Sequence, residues 1–156
     1  MIIASALHVL SAVIWIGGMF FAYMALRPVA ASLLEPPLRL PLWGQVFRKF
    51  FLWVWKAVIL ILITGYWMVF DGFGGFAGAG MHVHLMHGLG LIMVALFAYV
   101  FFAPYKKLTK AVTEKDFPTG AGHLNRIRQV VLVNLCLGLT VVVIASGGRF
   151  WHLYGI

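Results

Sequence analysis

The chain has 156 residues, of which 63% are hydrophobic and 10% are charged. This number of charged side chains is too small to cover the surface of a soluble domain. The composition therefore excludes a soluble globular protein. The formal net charge of +8 fits loops that face anionic lipid, and we expect membrane lipid and no nucleic acid as the partner of these charges.

Four apolar runs follow one another along the chain, and each is close to the roughly 20 residues that cross a bilayer as a helix. They predict an all-α integral membrane four-helix bundle that forms a single transmembrane domain over residues 1–156. The runs cover about residues 2–26, 47–70, 81–103 and 124–148.

The connections between these runs differ in composition. Residues 27–46 contain Pro28, Pro36, Pro37 and Pro41, which predict an extended surface loop with a short interfacial turn at most. Residues 71–80 are rich in glycine but lack the preceding strand and the lysine of a phosphate-binding loop, so a turn at the membrane surface is expected. Residues 104–123 form the most polar stretch.

The basic residues predict the orientation of the bundle, because lysine and arginine near helix ends are retained on the cytoplasmic side. The first and third connections and their flanks carry them, and the second has none. We therefore expect both termini outside, facing the periplasm if the membrane is a bacterial inner (plasma) membrane. The residues are Arg27, Arg39, Arg48, Lys49, Lys106, Lys107, Lys110, Lys115, Arg126 and Arg128.

Histidines gather at the predicted outer level of two spans. His8 lies about 9 Å below the outer boundary of the first span, and His82, His84 and His87 lie between about 2 and 9 Å below the boundary of the third. Metal-binding side chains within a span are costly and tend to mark function. Because bundle proteins hold haem iron with imidazoles from facing helices, a b-type haem between these two spans is the leading hypothesis.

The neighbours of the histidines are mostly small. Ser11, Ala12 and Gly18 continue the face of His8 and leave space for a porphyrin, with Trp15 predicted to line that pocket. Gly88, Leu91 and Ala95 follow His84 at helical spacing. Small residues also let membrane helices pack closely, and taken alone they favour that interpretation.

The spacing of the three later histidines leaves the second ligand open. His84 and His87 share a helix face, and depth slightly favours His87, whereas His82 points elsewhere and lies nearer to water. His123 and His152 are expected at the surface.

Two polar residues of the last span have alternative roles. Arg149 lies at the outer end and either binds a haem propionate or anchors the helix end, and the sequence leaves both readings open. Asn134 is expected to form a hydrogen bond to another helix as part of packing.

The segment Ala6-Leu7-His8-Val9-Leu10-Ser11-Ala12-Val13-Ile14-Trp15-Ile16-Gly17-Gly18-Met19-Phe20 resembles the first helix of the CopD-like family and, more distantly, that of HemJ-type protoporphyrinogen oxidases. By this resemblance, His8 matches a histidine implicated in haem binding. The HemJ pattern would place the next ligand at His82 and the CopD-like pattern at His84. We place it at His84, with His87 second and His82 third.

Departures from the HemJ pattern argue against protoporphyrinogen oxidation, which stays an alternative. HemJ-type proteins have lysine at the position of His84 and an Asn-Glu-x-Pro run in the last helix, where this chain has Asn134-Leu135-Cys136. The CopD name instead implies copper uptake, and a mixture of thioether and imidazole ligands opens the third span. These residues are Met81, His82, His84, Met86 and His87.

Three functional hypotheses follow. The first is a haem b membrane protein ligated by His8 and His84, which passes electrons between a quinone or small oxidant and a redox partner, as an electron carrier or an oxidoreductase. The second is a copper-handling membrane protein. The third is an accessory subunit without a cofactor. Catalytic residues and a homo-oligomeric state are left open.

Overall fold

The computed structural model describes residues 1–148, and Arg149 and His152 lie outside the described residues. These residues are helical throughout most of their length and contain no strand. In chain order the helices are α1 (Ile2–Phe21), α2 (Arg27–Leu33), α3 (Pro36–Trp67), α4 (Met81–Phe102), α5 (Pro104–Thr113) and α6 (Phe117–Gly147). Two π-helical turns, Ala22–Leu26 and Met68–Gly72, follow α1 and α3.

Three helical stretches are long and apolar enough to cross a membrane: Ile2–Leu33, Met81–Thr113 and Phe117–Gly147. The fourth predicted span lies within α3, whose 32 residues extend over about 48 Å. The chain is therefore an all-α membrane bundle, as the composition predicted. Whether α3 makes the fourth crossing stays a prediction.

The prediction of an extended loop over residues 27–46 is wrong, because almost all of this segment is helical. Pro36 and Pro37 lie in the first turn of α3, whereas Pro28 follows the π-helical turn Ala22–Leu26 and Pro41 lies inside α3. A helix needs no N–H group in its first turn, so proline is compatible with helix there. Only Leu34 and Glu35 are extended, as expected for residues that lead into a proline.

The glycine-rich segment forms the predicted turn. Gly74 and Gly75 adopt φ of 69° and 109°, which glycine tolerates and other residues rarely adopt. A short 3-10 turn, Phe76–Gly78, follows. A Cβ atom at Gly78 would collide with the Phe73 carbonyl, so only glycine fits. The turn brings the Phe76 ring against the start of α4.

The helices pack in pairs. Helix α1 lies along α3, while α6 lies along both α4 and α5. Side chains of α3 fill the space between these pairs, and the Phe47 and Phe51 rings stack with centroids 5.2 Å apart. Phe97 of α4 meets Phe51 edge to face at 5.5 Å. Aromatic side chains bury much area each, so this group dominates the packing of the core.

The two ends of the bundle differ in chemistry. One, here named the histidine end, contains His8, His82, His84, His87 and residues 68–80. The other, named the basic end, contains α2, α5 and the beginnings of α3 and α6, with Arg27, Arg39 and Arg128. Helix α6 begins there with Asp116, whose carboxylate accepts a hydrogen bond from the Thr119 N–H at 3.2 Å. This bond holds the pKa of Asp116 below its usual value.

We expect Leu108→Ala to lower the free energy of unfolding by about 2–5 kcal/mol, because Leu108 is fully buried where α5 packs on α3 and α6. Thermal unfolding in mild detergent measures this change. Leu33→Ala is the matched control, because Leu33 lies in α2 and is 74% exposed. Equal losses in the two variants would contradict the docking of α5 described above.

Candidate metal centre at the histidine end

His8 lies on the buried stripe of α1. Ala4, Ser11, Trp15 and Met19 are buried at helical spacing around it, and His8 itself is half-buried. Its imidazole packs against Gly65 of α3, where an added Cβ atom would lie 3.2 Å from His8 Cε1. The missing side chain at Gly65 therefore makes room for the ring, and His8 faces α3 and not the surroundings.

Thr64 sets the orientation of this imidazole. His8 Nδ1 lies 3.0 Å from Thr64 Oγ1, and the Thr64 hydroxyl donates to the Leu60 carbonyl one turn earlier. A hydroxyl has a single hydrogen, so with that hydrogen given to Leu60 the oxygen accepts from His8 Nδ1–H. In this tautomer the lone pair of His8 Nε2 is free. Metal-binding histidines have the same arrangement, in which one nitrogen is held by a partner and the other is left for the metal.

His84 and His87 meet at the Phe76 ring. The centroid of Phe76 is 4.9 Å from that of His87 and 5.9 Å from that of His84. The Tyr66 hydroxyl of α3 is hydrogen-bonded to His87 Nε2 at 3.1 Å. His87 is half-buried and His84 is exposed. The structure thus gathers two imidazoles on one face of α4, close to α3.

His82 faces a different helix. An added Cβ atom at Gly148 would lie 2.5 Å from His82 Cβ, which places this histidine against the end of α6. Its ring also lies over Gly80, at 2.9 Å from an added Cβ atom there. His82 therefore contacts glycines on a side of α4 separate from the Phe76 contact.

Helix α3 stands between His8 and His87. Their partners, Thr64 and Tyr66, are two residues apart, which is about 200° around a helix axis and about 3 Å along it. The two imidazoles thus approach α3 at one level from opposite sides. Within residues 1–148, no three side chains of histidine, cysteine, aspartate or glutamate lie close enough to hold one metal ion. His84 and His87 both contact the Phe76 ring, and His8 is not part of that group.

The small residues near the histidines have different surroundings. A Cβ atom at Gly18 would collide with the Phe50 ring, so this glycine allows α1 and α3 to pack closely. Nothing lies within 4 Å of a Cβ atom at Gly88. Together with Leu91 and Ala95, Gly88 continues an exposed face below His84. Open space thus lies beside Gly88 of α4 and not beside Gly18 of α1.

Trp15 and Asn134 lie deeper, in the core. The Trp15 ring meets Phe97 at 6.1 Å, and it lines, with Asn134 and Met19, a cavity of about 10 Å³, which is about the size of one water at most. No histidine lines this cavity. Asn134 Nδ2 donates to the Met93 carbonyl of α4 at 3.4 Å, so the expected bond between helices is present.

Methionines lie both at the histidine end and in the core. Met81 is exposed one turn before His84, and Met86 is half-buried one turn after His82. Met1 packs on Gly72 of the same end, with its Cε 2.5 Å from an added Cβ atom. Met19 and Met93 are buried in the core instead. Thioethers thus accompany the histidines at the end of the bundle.

The sequence interpretation missed Thr64, Tyr66 and Phe76, which position the histidines. Thr64-Gly65-Tyr66 is a polar interruption near the end of the second apolar run. A polar side chain within a span needs a hydrogen-bond partner. This interruption was the available signal that α3 takes part in the site.

The fold defines a multi-pass helical membrane protein with imidazoles and thioethers at one end. A family model described as CopD, copper resistance protein D, matches residues 44–147. This match covers two thirds of the chain, and the chain belongs to that family. The matched segment includes His82, His84 and His87 but not His8. The comparisons with curated proteins and with solved structures found no match.

We expect Thr64→Val to lower the free energy of unfolding by about 1–3 kcal/mol, because it leaves His8 Nδ1–H without an acceptor in a half-buried place. Thermal unfolding in detergent measures the loss, and Thr64→Ser restores the stability. Thr140→Val is the matched control, since Thr140 is exposed and donates only to the Cys136 carbonyl of its own helix. A loss no larger than that of the control would show that the His8 contact contributes nothing.

Proposed function

We propose that this protein handles copper ions, which it binds at the histidine end through His84 and His87. Membership of the copper resistance protein D family supports the copper relation. The observation that carries the site is the pairing of these two imidazoles around Phe76 on one face of α4. The metal is the cargo in this proposal.

The donor set suits copper in particular. Imidazole binds several transition metals, whereas thioethers select copper(I). Met81, His84 and His87 recur every three residues, and side chains at this spacing are neighbours on a helix surface. A single ion can therefore contact adjacent members of this series, either His84 with His87 or Met81 with His84, whereas Met81 and His87 are about 9 Å apart along the helix axis. No carboxylate is needed, which agrees with the near absence of acidic residues at this end, where Asp71 is the only one.

The surroundings of the pair favour metal exchange over permanent storage. His84 is exposed, and the hydrogen bond between His87 Nε2 and the Tyr66 hydroxyl orients the His87 ring; with Nε2–H as the donor, the lone pair of Nδ1 is left for a metal. An ion held by a partly exposed pair can arrive from and leave to the aqueous side. The basic residues at the opposite end favour a periplasmic position for the histidine end in a bacterial inner membrane.

Purified protein in mild detergent is expected to bind copper(I), measured by competition with a coloured copper(I) chelator. The double variant His84→Ala/His87→Ala is expected to weaken binding by at least about tenfold, because it removes both imidazoles. His123→Ala is the matched control, since His123 lies near the beginning of α6 at the basic end.

Two results would contradict this proposal. One is unchanged copper(I) affinity in the double variant, and the other is an equal loss in His123→Ala. Circular dichroism and size-exclusion chromatography of each variant establish that the fold is retained. Met81→Leu is expected to cause a smaller loss, because it removes one soft ligand and retains the imidazole pair.

A b-type haem ligated by His8 and His84 is the second candidate, with electron transfer to a quinone or redox partner as its function. The free Nε2 of His8, whose other nitrogen is held by Thr64, favours it. A ring shared by His8 and His84 would require α3 to move from between them. The exposed face at Gly88 provides space for a planar group beside His84 alone.

One visible spectrum separates the two candidates. A haem protein ligated by two histidines would be red as purified, and its absorption bands would sharpen on reduction with dithionite. We expect no such bands and no iron by elemental analysis, together with copper that depends on His84 and His87. A red protein that loses its colour in His8→Ala would instead establish the haem.

A further inference from the structure

We propose that Arg128, with Arg27 and Arg39, binds a phosphate group at the basic end of the bundle. This site lies at the opposite end from the histidines and is independent of the proposed copper function. It rests on hydrogen-bond donors of Arg128 and Trp43 that the fold buries without giving them an acceptor.

The guanidinium of Arg128 presents one complete edge without an acceptor. Its Nε and Nη2 atoms are both buried and have no hydrogen-bond partner in the part of the chain that the structure describes. These two nitrogens direct parallel N–H groups along one side of the planar group, which is the fork that binds two oxygens of a phosphate or carboxylate. Leaving such charged donors buried and unpaired is costly, so an oxyanion that accepts from both is strongly favoured.

Trp43 adds a third unused donor beside this fork. Its Nε1 is also buried without an acceptor, and its ring centroid lies 5.9 Å from Arg128 Cζ. The indole ring thus lies beside the guanidinium and restricts its movement. An indole N–H can only donate, so the chemistry that would satisfy this atom is the same as for Arg128.

Positive charge accumulates here, with Glu35 before α3 as the nearby carboxylate and with no ion pair among the described residues of this group. Arg27 and Arg39 are near enough to Arg128 for their charges to repel it. Within residues 1–148 the single ion pair is Lys110–Glu114. Arg27 lies over the Tyr23 ring at 4.7 Å, and Arg39 Nη1 donates to the Ala31 carbonyl. Three like charges without an ion pair therefore favour an anion from outside this part of the chain.

The level of the site identifies phosphate as the anion. Arg128 precedes the apolar part of α6, which begins at Val130, and Arg27 follows the apolar part of the first span. Basic residues that flank apolar spans lie at the level of lipid headgroups. A phosphodiester of an anionic lipid and free inorganic phosphate offer the same oxygens to the fork, and the experiment below distinguishes these two sources.

The test uses the complete protein, purified in a non-ionic detergent and stripped of lipid by extensive washing. Native mass spectrometry with added phosphatidylglycerol measures lipid binding, and thermal unfolding with inorganic phosphate against chloride at equal ionic strength measures free anion binding. We expect one tightly bound phosphatidylglycerol for a lipid site. Stabilisation by phosphate without discrete lipid binding would assign the site to free phosphate.

The variants compare two arginines of the same helix. Arg128→Gln is expected to weaken phosphate or lipid binding by about tenfold, because the fork is lost. Arg126→Gln removes an equal charge from an exposed position, where Arg126 lies 3.4 Å from the Tyr99 hydroxyl, and is expected to change binding by less than about twofold. Arg128→Lys retains the charge without the fork and is expected to behave like Arg128→Gln.

Equal losses in Arg126→Gln and Arg128→Gln would overturn the proposal, because they would reveal attraction by diffuse charge alone. Full binding in Arg128→Lys would also overturn it, since the fork would then be unnecessary. Binding of neither phosphate nor phosphatidylglycerol to the unaltered protein would have the same meaning. If Arg128→Gln does not fold, the comparison of Arg128→Lys with Arg126→Gln decides the question.

Discussion

The packing of α3 against the other helices is the interaction on which the rest of the structure depends. Its aromatic side chains, Phe47 and Phe51, fill the centre of the bundle and meet rings of α4 and α5. In lipid every backbone polar group must be satisfied within its own helix. The way in which the helices pack against one another is therefore determined by their side chains. Here the side chains of one helix hold the others in place, and they do so with little polar contact.

The same helix positions residues at both ends. Near its beginning, Trp43 lies beside the guanidinium of Arg128. Near its end, Thr64 orients His8, and Tyr66 holds His87 on the opposite side. The basic end and the histidine end are thus both built on α3, with an apolar core between them.

Much of the fold could be predicted from the sequence, because the length and apolarity of a span are properties of local composition. The runs at residues 2–26, 81–103 and 124–148 lie within helices long and apolar enough to cross a membrane. The segment 27–46 was misjudged because proline was counted as a helix breaker without regard to its position. In the first turn of a helix the same residue is tolerated, as Pro36 and Pro37 are in α3, and Pro41 is accommodated even inside that helix.

The candidate site was less predictable, for a geometric reason. Counting residues from a membrane boundary gives the depth of a side chain but not the neighbour that it faces. Depth correctly grouped His8 with His84 and His87 at one end of the bundle. It could not show that α3 lies between them, because the order of helices around a bundle is set by packing that no single span encodes. The contact between Asn134 and Met93 was predictable, since an amide in a span must find a partner on some other helix.

The unbroken course of α3 has a mechanical consequence. Between Trp43 and Thr64 the chain is a single helix without an interruption, and these residues are about 32 Å apart along its axis. If the helix tilts as a unit, a tilt of about 5° displaces one end by about 3 Å relative to the other. Such a shift at Thr64 and Tyr66 would change the separation of the imidazoles on either side of them. A displacement of α3 at Trp43 would therefore also change the geometry at the histidine end of the bundle.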